Sequence, residues 1–176
     1  ISRMGLQVSE EQVLTSGEAT AVYMEGRYPG ARLFVAGTPS LLNEFNNRGF
    51  TLDDQDPEAV VLGFDTTLTY EKLWKLCDFV RAGLPFIATH PDINCPTEHG
   101  FMPDIGAMLA AVNASTGRGP DIIIGKPNRM IAEAAARKMD LPLQSLAMVG
   151  DRLYTDIAIG HEAGITSILE IGRAHV

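Results

Sequence analysis

Strand-like and helix-like segments alternate along almost the whole chain, and this constrains the fold more than any other feature. Apolar runs at Arg32–Ala36, Ala59–Phe64, Leu84–Ala88, Asp121–Ile124, Leu146–Gly150 and Thr166–Ile171 read as strands, with a weaker one at Phe50–Leu52. Between them lie helical patterns. Ser16 is placed to cap a helix over 17–26, and Thr38–Pro39 opens a helix that runs to Arg48. Leu73, Leu76, Phe79 and Val80 mark an amphipathic helix over 69–82, stopped at Gly83. Further helices are expected over 105–114, after Pro127 up to Met139, and from Asp156 to Ala163, where Gly164 breaks the pattern. Strands alternating with helices form parallel βαβ units, which place ligands outside the carboxyl ends of the strands. Two connections are long: the loop Thr89–Asp104 and the linker Ser115–Pro120.

Bulk properties narrow the class. At 176 residues the chain can form one large domain or two small ones, and 45% hydrophobic with 20% charged residues is ordinary globular composition. No apolar run approaches the length of a membrane span, and no secretory leader is seen at the start. Cys77 and Cys95 sit in unrelated contexts without ligand spacing, so both are expected as free thiols in a reducing cytoplasm. A net charge of −8 argues against nucleic acid or an anionic membrane as partner. An anionic substrate would therefore need local positive charge. The opening Ile-Ser-Arg-Met-Gly reads as the end of a helix, and Gly172–Val176 trails off, so both ends are expected to be cuts in a longer protein.

The chemistry-bearing residues fall at strand ends. The run Ala147-Met-Val-Gly150 leads into Asp151-Arg-Leu-Tyr-Thr-Asp156. Two carboxylates after a buried strand suit a hard cation such as Mg²⁺, which takes one or two carboxylates plus substrate phosphate. Two carboxylates ~4 Å apart repel by ~4 kcal/mol at an effective dielectric near 20, a cost that a cation or lysine removes. The plainer alternative makes Asp156 a helix N-cap and Asp151 a turn residue. Lys126 follows Ile-Ile-Ile-Gly125 directly, with Pro127 fitting the first turn of the next helix, so its ammonium is expected near an anion-binding helix start. Taken alone it reads as a solvated loop lysine. A Walker A loop is excluded, because Pro127 stands where the hydroxyl residue belongs. The loop 89–104 carries His90, Asp92, Asn94, Glu98 and His99. These lack zinc-ligand spacing, and substrate selection is the expected role. Asp54 and Asp56 read as a solvated turn. Asp65 imitates a nucleophile at a strand end but lacks a second Asp two positions on and the glycine after it.

Gly125-Lys126-Pro127 and Met148-Val-Gly-Asp151-Arg-Leu-Tyr-Thr-Asp156-Ile resemble motifs III and IV of the haloacid dehalogenase superfamily, and the chain as a whole resembles its NagD-like or 4-nitrophenylphosphatase-like branch. Leu14–Ala21, Val60–Leu73, Thr89–Asp92 and Pro103–Gly106 extend the match. The resemblance implies a doubly wound, Rossmann-like parallel-sheet core, here incomplete, with an inserted α/β cap. Residues 1–29 would be a core fragment, 30–118 the cap and 119–176 the carboxyl-terminal core. It also implies two-step Mg²⁺-dependent hydrolysis of a small phosphate monoester through an aspartyl-phosphate. Lys126 would steady the nucleophile and phosphate charge, Asp151 and Asp156 would hold Mg²⁺, and Thr89, His90, Asp92 and Asn94 would face the substrate from the cap. Caps of this kind often pair, so a homodimer is expected. The chain departs from the family pattern in three ways. The nucleophile motif Asp-x-Asp-Gly-Thr is absent and would lie upstream of Ile1, so no turnover is expected. His90 stands where Asn often follows the threonine, and Asp104 where Gly often follows the proline. A non-catalytic phosphate- or metal-binding module is the alternative. A phospho-receiver domain is disfavoured, because there the acidic residues precede the lysine.

Overall fold

The computed structural model describes residue 5 and residues 7–171; the expectations placed on Ile1–Met4 and Gly172–Val176 lie outside the described residues. The order is α1 (Ser16–Arg27), β1 (Arg32–Ala36), α2 (Pro39–Asn47), β2 (Thr51–Leu52), β3 (Ala59–Leu62), α3 (Tyr70–Arg81), β4 (Phe86–Ala88), β5 (Asn94–Thr97), β6 (Gly100–Pro103), α4 (Ile105–Thr116), β7 (Ile122–Ile123), α5 (Arg129–Met139), β8 (Ala147–Gly150), α6 (Ala158–Ala163) and β9 (Thr166–Leu169).

Five strands form one parallel sheet in the order β2-β1-β3-β4-β7. Its alternation explains its two-sided core. Leu33, Val35, Ala59, Val61 and Ile87 face one side and pack with Met24, Phe45 and Phe50. Phe34, Ala36, Val60, Leu62, Phe86 and Ala88 face the other, against Leu76, Val80, Ile105 and Val112. Strands buried on both faces read as continuous apolar runs, which is what the sequence shows there. Helix α2 lies close because Leu41 is surrounded by Gly17, Gly37 and Gly63, where any added Cβ would collide with its side chain. β7, assigned from sequence to the carboxyl-terminal segment, closes the edge of this sheet, so the sheet ends at Ile123.

β8 and β9 form a separate parallel pair, registered from Ala147 against Thr166 to Gly150 against Leu169. A small core of Ala132, Ile159 and Ala163 holds α5 and α6 beside it. Lys138 of α5 ties this part to the start of α1, donating to Glu18 Oε1 at 2.6 Å and to the Val13 carbonyl at 2.8 Å.

Four local expectations are corrected. Thr15, not Ser16, caps α1: its Oγ1 accepts from Glu18 N at 3.0 Å, and Ser16 is already helical. The stretch 89–104 is not a plain loop but contains the antiparallel hairpin β5–β6. Pro127 lies before α5, whose N-cap is Asn128. Asp156 does not start a helix; it sits in a π-helical turn, Leu153–Ile157, that feeds α6.

Candidate active site

The acidic loop is shaped by what lies beneath it. Gly150 ends β8, and a Cβ there would overlap the Asp156 carboxylate, so glycine alone lets that side chain fold back under the strand end. Asp156 is 4% exposed. A buried carboxylate must be paired or hydrogen-bonded, and this one is both. Its Oδ1 accepts from Lys126 Nζ at 2.5 Å and its Oδ2 from the Arg152 backbone N–H at 3.2 Å. Such engagement excludes the N-cap alternative. Lys126 thus leans across from the loop after β7 to the loop after β8, as expected for residues at carboxyl strand ends.

A cleft of about 1010 Å³ opens over these groups. Lys126, Pro127 and the stretch Asp151–Asp156 form one side; Asp92, Asn94, Pro96 and Phe101 from the hairpin segment form the other. Arg152 Nη1 reaches Asp92 Oδ1 at 3.5 Å across it. Thr89 and His90 do not line this cleft. Thr89 is 2% exposed, and its carbonyl accepts from Gly125 N at 2.8 Å. The His90 ring bonds Asp104 Oδ1 through Nε2 at 2.9 Å and approaches Ser16 Oγ and Thr89 Oγ1 through Nδ1 at 3.2 and 3.1 Å.

Two carboxylate-containing sets could hold a cation. Asp151 and Asp156 offer hard oxygens facing one cleft, which fits Mg²⁺ with its remaining positions taken by water or phosphate. The second set, His90, Asp92 and Asp104, has ligand atoms within 4.8 Å of one another. Its groups are already engaged, by the His90–Asp104 bond and the Arg152–Asp92 pair, and all three come from the stretch 89–104. Asp65 is spoken for as well: it accepts from Thr67 N, Thr67 Oγ1 and Lys72 Nζ at 2.8, 2.6 and 2.8 Å, a turn held by a lysine rather than a nucleophile in waiting.

A sequence profile of HAD-hydrolase-like proteins matches residues 123–170, and one of haloacid dehalogenase-like hydrolases matches residues 1–51. A solved structure assigned to NagD is 48% identical, superimposes with a TM-score of 0.93, and is matched over 99% of this chain and 71% of its own. The chain belongs to the haloacid dehalogenase-like hydrolases. The 4-nitrophenylphosphatase of Thermotoga maritima is also 48% identical, with a TM-score of 0.94 over 99% of this chain and 67% of its own. The acid sugar phosphatase of Staphylococcus saprophyticus is 38% identical over 169 residues, 96% of this chain. The chain spans 65% of that relative's length.

Within this hydrolase family setting, sequence reasoning passed over Arg152 and Ser16. Arg152 could have been noticed as a cation wedged between Asp151 and Asp156 in a chain of net charge −8. Ser16 gave no comparable signal, because its role depends on a partner 74 residues away.

Proposed function

We propose that this chain is the cap and carboxyl-terminal core of a Mg²⁺-dependent phosphatase acting on a small phosphate monoester. The observation that carries the reading is the meeting of Lys126, Asp151 and Asp156 at one cleft, opposite a hairpin able to touch the rest of a substrate. The cap would run over 30–118 and the carboxyl-terminal core over 119–176, with β7 of the latter pairing at the edge of the five-stranded sheet. Phosphate monoester hydrolysis is among the slowest uncatalysed reactions, with enhancements up to ~10²¹, so concentrated positive charge is the main lever. Mg²⁺ held by Asp151 and Asp156, directly or through water, would draw off charge developing on the phosphoryl oxygens. Lys126 supplies a fixed cation at the same place, and Asp156 aims it. The hairpin residues Asn94, Pro96 and Phe101 select the alcohol part. The attacking group belongs to an Asp-x-Asp-Gly-Thr motif that these 176 residues do not contain.

The likeness to an acid sugar phosphatase and a 4-nitrophenylphosphatase supports a small ester as substrate. Free thiols at Cys77 and Cys95 support a reducing cytoplasm; among the described residues no helix is long and apolar enough to cross a membrane. Pairing of two copies through the cap belongs to the same proposal. It is supported by Tyr70 and Trp74, which stand 83% and 63% exposed on α3, and is checked by sedimentation.

The test is hydrolysis of 4-nitrophenyl phosphate with Mg²⁺ by this chain, together with calorimetric Mg²⁺ titration. No turnover is expected, and Asp151→Ala should lose Mg²⁺ binding. Turnover that vanishes in Asp151→Ala would show that the nucleophile is present after all. Mg²⁺ binding unaffected by Asp151→Ala would remove the metal site.

A further inference from the structure

We infer that His90 is a positioning residue: with Asp104 it clamps the base of the β5–β6 hairpin to the Lys126 loop, and so sets the wall that meets the non-phosphate part of the substrate. This rests on the proposed function for its ligand, but not for its geometry.

The ring contacts three elements. Nε2 meets Asp104 Oδ1 at 2.9 Å, at the N-cap of α4 where the hairpin ends. A carboxylate can only accept, so Nε2 carries the proton, while Nδ1 lies within hydrogen-bond distance of the hydroxyls of Ser16 on α1 and Thr89. The backbone of His90 is pressed against the other side of the site: a Cβ at Gly125 would stand 2.6 Å from the Thr89 carbonyl oxygen and 2.7 Å from His90 Cβ. Gly125 immediately precedes Lys126. The far end of the segment closes in the same way, with Gly106 N donating to Asp92 O at 2.7 Å and Asp104 N to Ile93 O at 2.9 Å.

Burial makes this a lock rather than a surface contact. The side chains of His90 and Asp104 are 16% and 9% exposed, so the bond is shielded from water and salt. The hairpin itself is mostly exposed and has only two strands, too few for stability of its own. Its position must be imposed from its base.

The test separates a clamp from general stabilisation. Asp104→Ser retains a good helix cap but is too short to reach the ring, whereas Asp104→Asn retains both roles. By hydrogen exchange, His90→Ala and Asp104→Ser should each speed exchange of the 94–103 amides about tenfold while β1 and β3 stay protected, and Asp104→Asn should remain within about twofold. The double variant should be no faster than either single one, the signature of two groups acting through one bond. Hairpin exchange unchanged in Asp104→Ser, or additive effects in the double variant, would overturn the clamp. In equilibrium titration, His90→Ala should weaken 4-nitrophenyl phosphate about fivefold or more and leave inorganic phosphate unchanged, because inorganic phosphate needs only Lys126 and the acidic loop. Equal losses for both ligands would refute the assignment of the hairpin to specificity. If the unmodified chain binds neither ligand, the phosphatase reading fails while the exchange result still decides the clamp.

Discussion

Lys126 and Asp156 are held to each other more strictly than either is held to solvent. Removing the ammonium leaves a 4% exposed carboxylate with a single backbone donor. Lys126→Met should therefore cost about 1–3 kcal/mol by urea denaturation, the range for a stranded buried polar group. Mg²⁺ should restore more stability to this variant than to the unmodified chain, since the cation then has no lysine to compete with. A second residue-scale expectation concerns Asp54. Its hydrogen bond from Lys75 at 2.5 Å, followed by one from Gln55, holds its carboxyl below the ordinary carboxylate value. A depressed carboxyl stabilises above its unfolded pKa, and that contribution is lost as pH falls through the folded value. Lys75→Met should raise the Asp54 pKa measured by NMR and flatten the acid limb of stability. At this scale the sequence singled out Lys126, Asp151 and Asp156, because strand-end position and charge type are local properties, and the three meet at one cleft. It could not place Arg152, Ser16 or the partner of His90, because those depend on which distant segments meet.

Elements were legible wherever burial imposed a period. β1, β3 and α3 fall within a residue or two of their expected bounds, since each carries an apolar pattern that only one packing satisfies. The failures share a cause. β5 and β6 are largely exposed and include Pro96 and Pro103, so no alternation or propensity marked them. The π-helical turn at Leu153–Ile157 begins three residues before the helix start expected at Asp156; its wider winding comes with Asp156 tucked beneath Gly150. The cap of α1 turns on whether the chain enters at Thr15 or Ser16, two adjacent hydroxyl residues that both suit the position, serine somewhat better. Thr15→Ala should cost about 1 kcal/mol and Ser16→Ala less in thermal unfolding, because only Thr15 bonds a helix-start N–H.

As a whole the molecule is unevenly closed. The five-stranded sheet is covered on both faces, while β8 and β9, among the described residues, pair only with each other and leave Val149, Ile168 and Leu169 57%, 50% and 41% exposed. Hydrogen exchange should show β8 and β9 opening far more often than β1 and β3, with protection differing by more than about tenfold. Equal protection would mean that the second pair is buttressed by contacts not evident in its surroundings. The α/β class and parallel strands were readable from alternation alone. The break into a large sheet and a small pair was not, because a strand's sheet membership is decided by neighbours far away in sequence.

Leu41 offers a different kind of consequence. Its side chain fills a space that exists only because positions 17, 37 and 63 carry no Cβ. An alanine methyl at any of the three would meet a terminal methyl of Leu41, so the leucine would have to turn away to admit it. One side chain thus answers for three backbone positions on different elements, and a change at any of them is felt first at residue 41.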